Sequence, residues 1–349
     1  MESPFPEPSH NQLKKWTKLL QSKFRAEDRL LLAEGVKVVH ELLKSDWLIE
    51  AILVLPEKIS YWEKLLLMQN DKESSTGAAN LPSPSFPRRR ESSQNLSFMD
   101  TTRLQDGVVM SLRRNKVTEA ISYQTENKKI AAPPAGARND KKAIAPQFLH
   151  DNDASIPIYQ ISLAEFKKLS QDKEPEGIIA VVKLNEQPGI SSLLESTSGH
   201  LLIAHEISNP QNLGALFRTA RWFGFADIVL GMNCVDWTHP KVVRASMGAV
   251  FHLSIRPNVN LPVILPDVKK KYRLIGSDVR KGTAPHPVAD KTALLLGSES
   301  HGLPENLIKL ADESWRIPGD DSTESLSLPQ AAAIMMYELS RPEAKGQGL

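Results

Sequence analysis

Leu201-Leu-Ile-Ala-His-Glu-Ile-Ser-Asn-Pro-Gln-Asn-Leu-Gly-Ala-Leu-Phe-Arg218 decides how this chain is read. It opens as an apolar strand, Leu201 to Ile207, breaks at Ser208-Asn209-Pro210, and resumes with helical spacing. Asn is a favoured helix cap and Pro suits the first helical position, so a helix is expected from Pro210. Gly214 and Ala215 keep that helix thin, which lets a backbone or ligand come close. Asn212 shares a face with Ala215, and Arg218 with Arg221 or Trp222. The same order of strand, polar loop and helix recurs twice. Thr292-Ala-Leu-Leu-Leu296 is too apolar to face water on either side and reads as a central strand. Gly297-Ser-Glu-Ser-His-Gly-Leu303 follows it, and Pro304 opens another helix. Ile317-Pro-Gly-Asp-Asp-Ser-Thr-Glu-Ser-Leu-Ser327 leads into a third helix, with Ser327 and Gln330 spaced as a capping box. The repetition predicts an α/β fold whose loops gather at the carboxyl edge of a parallel sheet, where such folds bind ligands.

Working outward, the chain has 349 residues, which favours about two domains. Hydrophobic content of 41% and charged content of 24% are those of an ordinary globular protein. A net charge of +2 is too small to name a partner, so any contact with an anion must be local. The segment from Met1 to Pro8 is acidic and proline-broken, unlike a signal peptide. No apolar run approaches the roughly 20 residues of a membrane helix. The single cysteine, Cys234, rules out an intrachain disulfide and suits a reducing compartment, so a cytoplasmic protein without membrane contact is expected.

Before the decisive stretch, residues 11–45 read as helical from the spacing of Leu13, Trp16, Leu19 and Leu20, then Leu31, Val36, Val39, Leu42 and Leu43. Ala51 to Leu55 reads as a buried strand, Tyr61 to Met68 as a helix, and Ile156 to Ile161 and Gly177 to Val182 as strands flanking a helix from Leu163. Residues 71–152 differ in character. Asn80-Leu-Pro-Ser-Pro-Ser-Phe-Pro-Arg-Arg-Arg90 and Ala131-Ala-Pro-Pro-Ala-Gly-Ala-Arg138 bury too little apolar surface to offset chain entropy, so a disordered, functionally inert insertion is expected. The expected organisation is a first α/β domain over 1–183, interrupted at 71–152, a linker at 184–199, a second domain at 200–340 and a tail at 341–349.

Several chemistries are excluded by pattern. The glycines match neither a dinucleotide fingerprint nor a P-loop. The nine histidines lack metal-ligand spacing, and one cysteine builds no zinc site, so no metal is expected. Ser298 and Ser300 have no His and Asp pattern around them. His205 reads as a core histidine, and Met335 and Met336 as core filler.

Taken in order, the three loops resemble the SpoU (TrmH-like) branch of the SPOUT RNA methyltransferases. Asn209 to Ala220 is similar to the family's Asn-Pro-x-Asn-x-Gly-Ala-x-x-Arg-Thr-Ala, and Lys241 to Phe251 to the stretch that follows it. The second and third loops are similar to Gly-Ser-Glu-x-x-Gly-Leu and Ile-Pro…Glu-Ser-Leu. The first domain more loosely resembles the family's RNA-binding domain of ribosomal-protein (L30e-like) type. The resemblance implies a deep trefoil knot, a homodimer, and methyl transfer from S-adenosylmethionine to a ribose 2′-hydroxyl of RNA. Ribosomal RNA is favoured, with transfer RNA or a noncatalytic RNA-binding homologue as alternatives. It also implies that Gly297, Ile317 and Leu326 hold the cofactor, and that Arg218 acts on the hydroxyl with Asn212, Glu299 and Ser325 around it. Two positions depart from the family pattern: Ser327 stands where Asn is usual, and Ser300 where Gly is usual. The second exchange matters if the backbone there needs a positive φ.

Overall fold

A computed structural model describes residues 5–58, 156–195, 199–320 and 325–341. The expected helix at Tyr61 to Met68 and all of the 71–152 insertion lie outside these residues, as does most of the tail. The helical segments that open the chain are α1 (His10–Lys18) and α2 (Ser22–Asp28). Next come β1 (Leu30–Glu34), α3 (Val36–Leu43) and β2 (Ile49–Val54). After the insertion, β3 (Ile158–Gln160), α4 (Leu163–Leu169) and β4 (Ile178–Lys183) complete a four-stranded sheet in the order β1-β4-β2-β3.

The helix expected without a break to Ser45 is therefore wrong at Leu30-Leu-Leu-Ala-Glu34, which forms β1, paired antiparallel with β4. All five residues are buried. A strand covered on both faces shows no alternation, so its leucines joined those of α3 into a false helical spacing. Gly35, at φ 106°, makes the corner between strand and helix, a conformation open to glycine alone.

The segment expected to be a bare linker contains a short helix, α5 (Ile190–Glu195). Beyond it, β5 (Leu201–Ala204), α6 (Pro210–Trp222), β6 (Asp227–Gly231), α7 (Pro240–Ala245) and β7 (Ser254–Val259) follow. Then come α8 (Leu261–Val268), β8 (Arg273–Ser277), β9 (Thr292–Leu296), α9 (Glu305–Ile308), β10 (Glu313–Trp315) and α10 (Leu328–Ser340). Their six strands run in the order β10-β8-β9-β5-β6-β7, and every neighbouring pair is parallel. As expected, β9 is an interior strand, buried along its whole length. No helix among the described residues is long and apolar enough to cross a membrane.

The two sheets share one continuous apolar core rather than a loose tether. Trp47 from the first unit meets Trp237 and Phe251 from the second, edge-on, at 6.2 and 5.4 Å. Polar clasps flank this aromatic centre. Arg25, 1% exposed, donates to Thr238 Oγ1 at 2.9 Å, to Leu19 O at 2.8 Å and to Asp236. Arg244 on α7 reaches back to Asp172, Glu34 and Glu176 of the first unit. Packing then carries on to α6, because a Cβ on Gly214 would lie 2.5 Å from Ala245 Cβ and 2.6 Å from Val242 O. Gly214 is thus needed for α7 to touch α6.

Burial alone would raise the Asp236 pKa, but hydrogen bonds from Thr238 and Arg25, with the Arg25 charge, outweigh it and hold the carboxyl below its ordinary value. The clasp therefore contributes stability above the ordinary carboxylate range and loses it as pH falls through the lowered value. Arg25→Ala is expected to destabilise the protein by about 3 kcal/mol at neutral pH, the low end for breaking a buried ion pair because Asp236 keeps some solvent contact. Urea denaturation measures this, and a loss below about 1 kcal/mol would count against the clasp.

Candidate cofactor and catalytic site

The three loops found in the sequence all leave the carboxyl edge of the second sheet. In the first, Asn209 caps α6: its Oδ1 accepts from the Gln211 N–H at 2.8 Å and from the Asn212 N–H at 3.4 Å. Pro210 occupies the first turn, as the sequence predicts. The second loop follows β9 and folds into a tight hairpin. Ser298 and Gly302 exchange backbone hydrogen bonds of 3.1 and 3.0 Å, with Gly302 at φ 67° as the left-handed corner. Ser300 is not at a positive φ, so serine fits there without backbone strain.

Glu299 at the tip of that hairpin joins the two loops. Its carboxylate accepts from the backbone N–H groups of Ser208 at 3.4 Å and Asn209 at 3.3 Å, and from Asn212 Nδ2 at 3.1 Å. An anion at a helix N-terminus is favoured by the exposed amides and the helix dipole. Asn212 and Glu299 are therefore brought together, although 87 residues apart in the chain.

Gly297 is buried at the root of the hairpin, and a Cβ there would lie 2.1 Å from the Gly302 carbonyl carbon. Ile317 is partly buried against the main core at the start of the third loop. Residues 321–324 lie outside the described residues. Beyond them Ser325 is exposed, and Leu326 shows 46% of its surface to solvent. Ser327 begins α10 with the expected capping box, its N–H held by Gln330 Oε1 at 3.3 Å.

Arg218 is exposed, and among the described residues it has no hydrogen-bond or ion-pair partner. It stands six residues beyond Asn212, which on a helix is about 9 Å along the axis and about 120° around it. Within one chain, then, it does not join the Asn212–Glu299 contact. Its neighbour at i+4 is Trp222, 82% exposed, on a helix packed against α10, where Tyr337 and Ile334 are also exposed. Phe223 and Tyr337 meet edge-on at 6.2 Å across that pair of helices.

The donor set suits S-adenosylmethionine. A hairpin rooted on the side-chain-free Gly297, a partly buried Ile317 and an exposed Leu326 offer backbone groups and apolar faces to a nucleoside. Among the described residues no cluster could hold a metal ion.

Comparison with known proteins agrees with this geometry. The pattern of the SpoU rRNA Methylase family matches residues 199–337, and that of the MRM3-like substrate binding domain matches residues 10–77. Residues 199–337 form a SpoU methylase domain. Among relatives, the 23S rRNA (guanosine(2553)-2'-O)-methyltransferase RlmP of Bacillus subtilis is 28% identical over 193 residues, 54% of this chain and 75% of the relative. The uncharacterized tRNA/rRNA methyltransferase slr1673 of Synechocystis is 28% identical over 195 residues, 54% and 69% of the two chains. An rRNA methyltransferase from Sinorhizobium meliloti has a similar fold, with a TM-score of 0.60 at 18% identity over 95% of this chain and 94% of that one. The SpoU methyltransferase AviRb from Streptomyces viridochromogenes, in complex with AdoMet, gives 0.60 at 16% identity over 95% and 97%.

Sequence reasoning missed two polar residues at the same edge, Glu206 and Asn233, whose side chains bond at 3.1 Å. Nothing local marks them, because what sets them apart is a left-handed backbone at φ 51° and 65°.

Proposed function

We propose that this SpoU-family protein transfers the methyl group of S-adenosylmethionine to a ribose 2′-hydroxyl of structured RNA, with ribosomal RNA the favoured substrate. The observation that carries this is the Glu299–Asn212 contact, which joins the first two family loops into one site at the edge of a parallel sheet.

S-adenosylmethionine supplies an electrophilic methyl group. The chain's own task is to place the ribose oxygen in line and ease the loss of its proton. Gly297, Ile317 and Leu326 hold the cofactor. Glu299, fixed by three donors, orients Asn212 and the hairpin, while Ser325 borders the ribose. Arg218 stays protonated and so takes no proton; its fixed charge grips phosphate and stabilises the developing alkoxide.

A homodimer belongs to the same proposal. Arg218 shares an exposed face with Trp222, beside Tyr337 and Ile334, and a second copy covering that face would draw the arginine into a site. The trefoil knot, the L30e-like ancestry of the first sheet, the two-domain division and a cytoplasmic place of action complete the proposal. RNA held by the first unit would be presented to the second through the shared core.

Isothermal titration with S-adenosylmethionine, followed by transfer of labelled methyl to transcribed ribosomal and transfer RNAs and digestion to nucleosides, tests this. Ribose-methylated nucleoside from ribosomal RNA is expected. Label on transfer RNA would reassign the substrate, label on a base would overturn the ribose assignment, and a folded protein that binds no cofactor would be a noncatalytic homologue.

A further inference from the structure

β5 and β6 lie side by side, and each is followed, two residues past its end, by a non-glycine residue in the left-handed region: Glu206 at φ 51° and Asn233 at φ 65°. Asparagine tolerates that conformation, whereas glutamate seldom adopts it. Their side chains meet, Asn233 Nδ2 donating to Glu206 Oε1 at 3.1 Å; Asn233 is exposed and Glu206 half-buried, with 45% of its side chain open to solvent. Core packing therefore does not account for the arrangement. His205 Nε2 lies 3.8 Å from the other carboxylate oxygen. Burial holds the His205 pKa below its ordinary value, so at neutral pH the ring is uncharged.

Location gives this pair a purpose. The cofactor loops follow β9 and β10, on one side of β5, and the pair faces the other side, towards β6. From Asn233 the chain runs directly into Asp236–Thr238, which grips Arg25 of the first unit. Glu206 and Asn233 thus stand between the loops proposed to hold the methyl donor and the unit proposed to hold RNA.

We propose that Glu206 and Asn233 read the base of the nucleotide being methylated, and that they select guanine. This rests on the RNA-methyltransferase function proposed above. An asparagine amide has two N–H donors, of which one is engaged by Glu206, and an ionised carboxylate only accepts. The pair therefore presents a donor followed by two acceptors. Guanine's Watson–Crick edge carries the complement: O6 accepts, N1–H and the N2 amino group donate. Adenine and cytosine place a ring-nitrogen lone pair beside their one amino group, and uracil flanks its single N–H with two carbonyls, so each sets an acceptor against the carboxylate. Reading of Watson–Crick edges is how proteins recognise unstacked RNA bases.

Two measurements test this. In the first, methyl transfer to transcribed ribosomal RNA is mapped, then repeated with inosine, which lacks the N2 amino group, at the methylated position. The label is expected on guanosine, and inosine should lower kcat/KM about tenfold or more for the wild type but not for Glu206→Gln. A residue that merely clamped two loops would lower both substrates equally. Label on adenosine, cytidine or uridine, or an inosine penalty unchanged in Glu206→Gln, would overturn the proposal. The second measurement needs no turnover: in an NMR titration GMP should shift the Asn233 side-chain amide, IMP should shift it less, and Glu206→Gln should abolish the difference. Equal responses to GMP, IMP and AMP would overturn base reading whatever the transfer assay gives, whereas selective GMP binding without transfer would overturn only the methyltransferase function.

Discussion

Arg218→Ala is expected to lower turnover at least about a thousandfold while S-adenosylmethionine affinity stays within about twofold of wild type. The residue is exposed and without a partner among the described residues, so the core loses nothing and the melting temperature should hold. What disappears is the fixed positive charge proposed to face the ribose oxygen as its proton leaves. Arg218→Lys should recover little, since an ammonium lacks the planar two-pronged donor that grips a phosphate. The measurement is single-turnover transfer of labelled methyl beside cofactor titration. Turnover within a few-fold of wild type would remove Arg218 from the chemistry.

Gly297→Ala is expected to abolish detectable cofactor binding, a loss of at least about a hundredfold in affinity, and to cost about 3 kcal/mol of stability. The new Cβ would stand 2.1 Å from the Gly302 carbonyl carbon and 2.3 Å from the Leu303 nitrogen, and both are backbone atoms that cannot swing aside. The hairpin closed by Ser298 and Gly302 has to open, taking Glu299 off the start of α6. Gly302→Ala is the informative contrast. A Cβ there meets nothing within 4 Å, so the cost is only that of a left-handed alanine, about 1 kcal/mol. Titration calorimetry and thermal melting compare the two, and equal effects would mean that the close approach at Gly297 does not organise the site.

Local signals were readable without coordinates because their physics is local. The Asn209 cap, Pro210 in the first turn, the Ser327–Gln330 box and the glycines around Glu299 each act within a few residues, and each is where the sequence put it. The buried run of β9 was equally legible, since only a central strand hides five residues in a row, four of them apolar. The failure at β1 has the same root. A strand covered on both faces leaves no alternating pattern, and the leucines of Leu30-Leu-Leu-Ala-Glu34 were lent to a helix that stops short of them.

By itself, then, the sequence determined strands β5 and β9, the three edge loops of the second sheet and the family those loops resemble, since capping, turn formation and burial are written in neighbouring residues. Tertiary structure alone decided which distant groups meet. It set Asn212 against Glu299 across 87 residues and Arg25 against Asp236 across 211. It also turned Glu206 towards Asn233. Such pairings follow from how parallel strands are ordered in the sheet, β9 beside β5 beside β6, and that order rests on the packing of the whole chain.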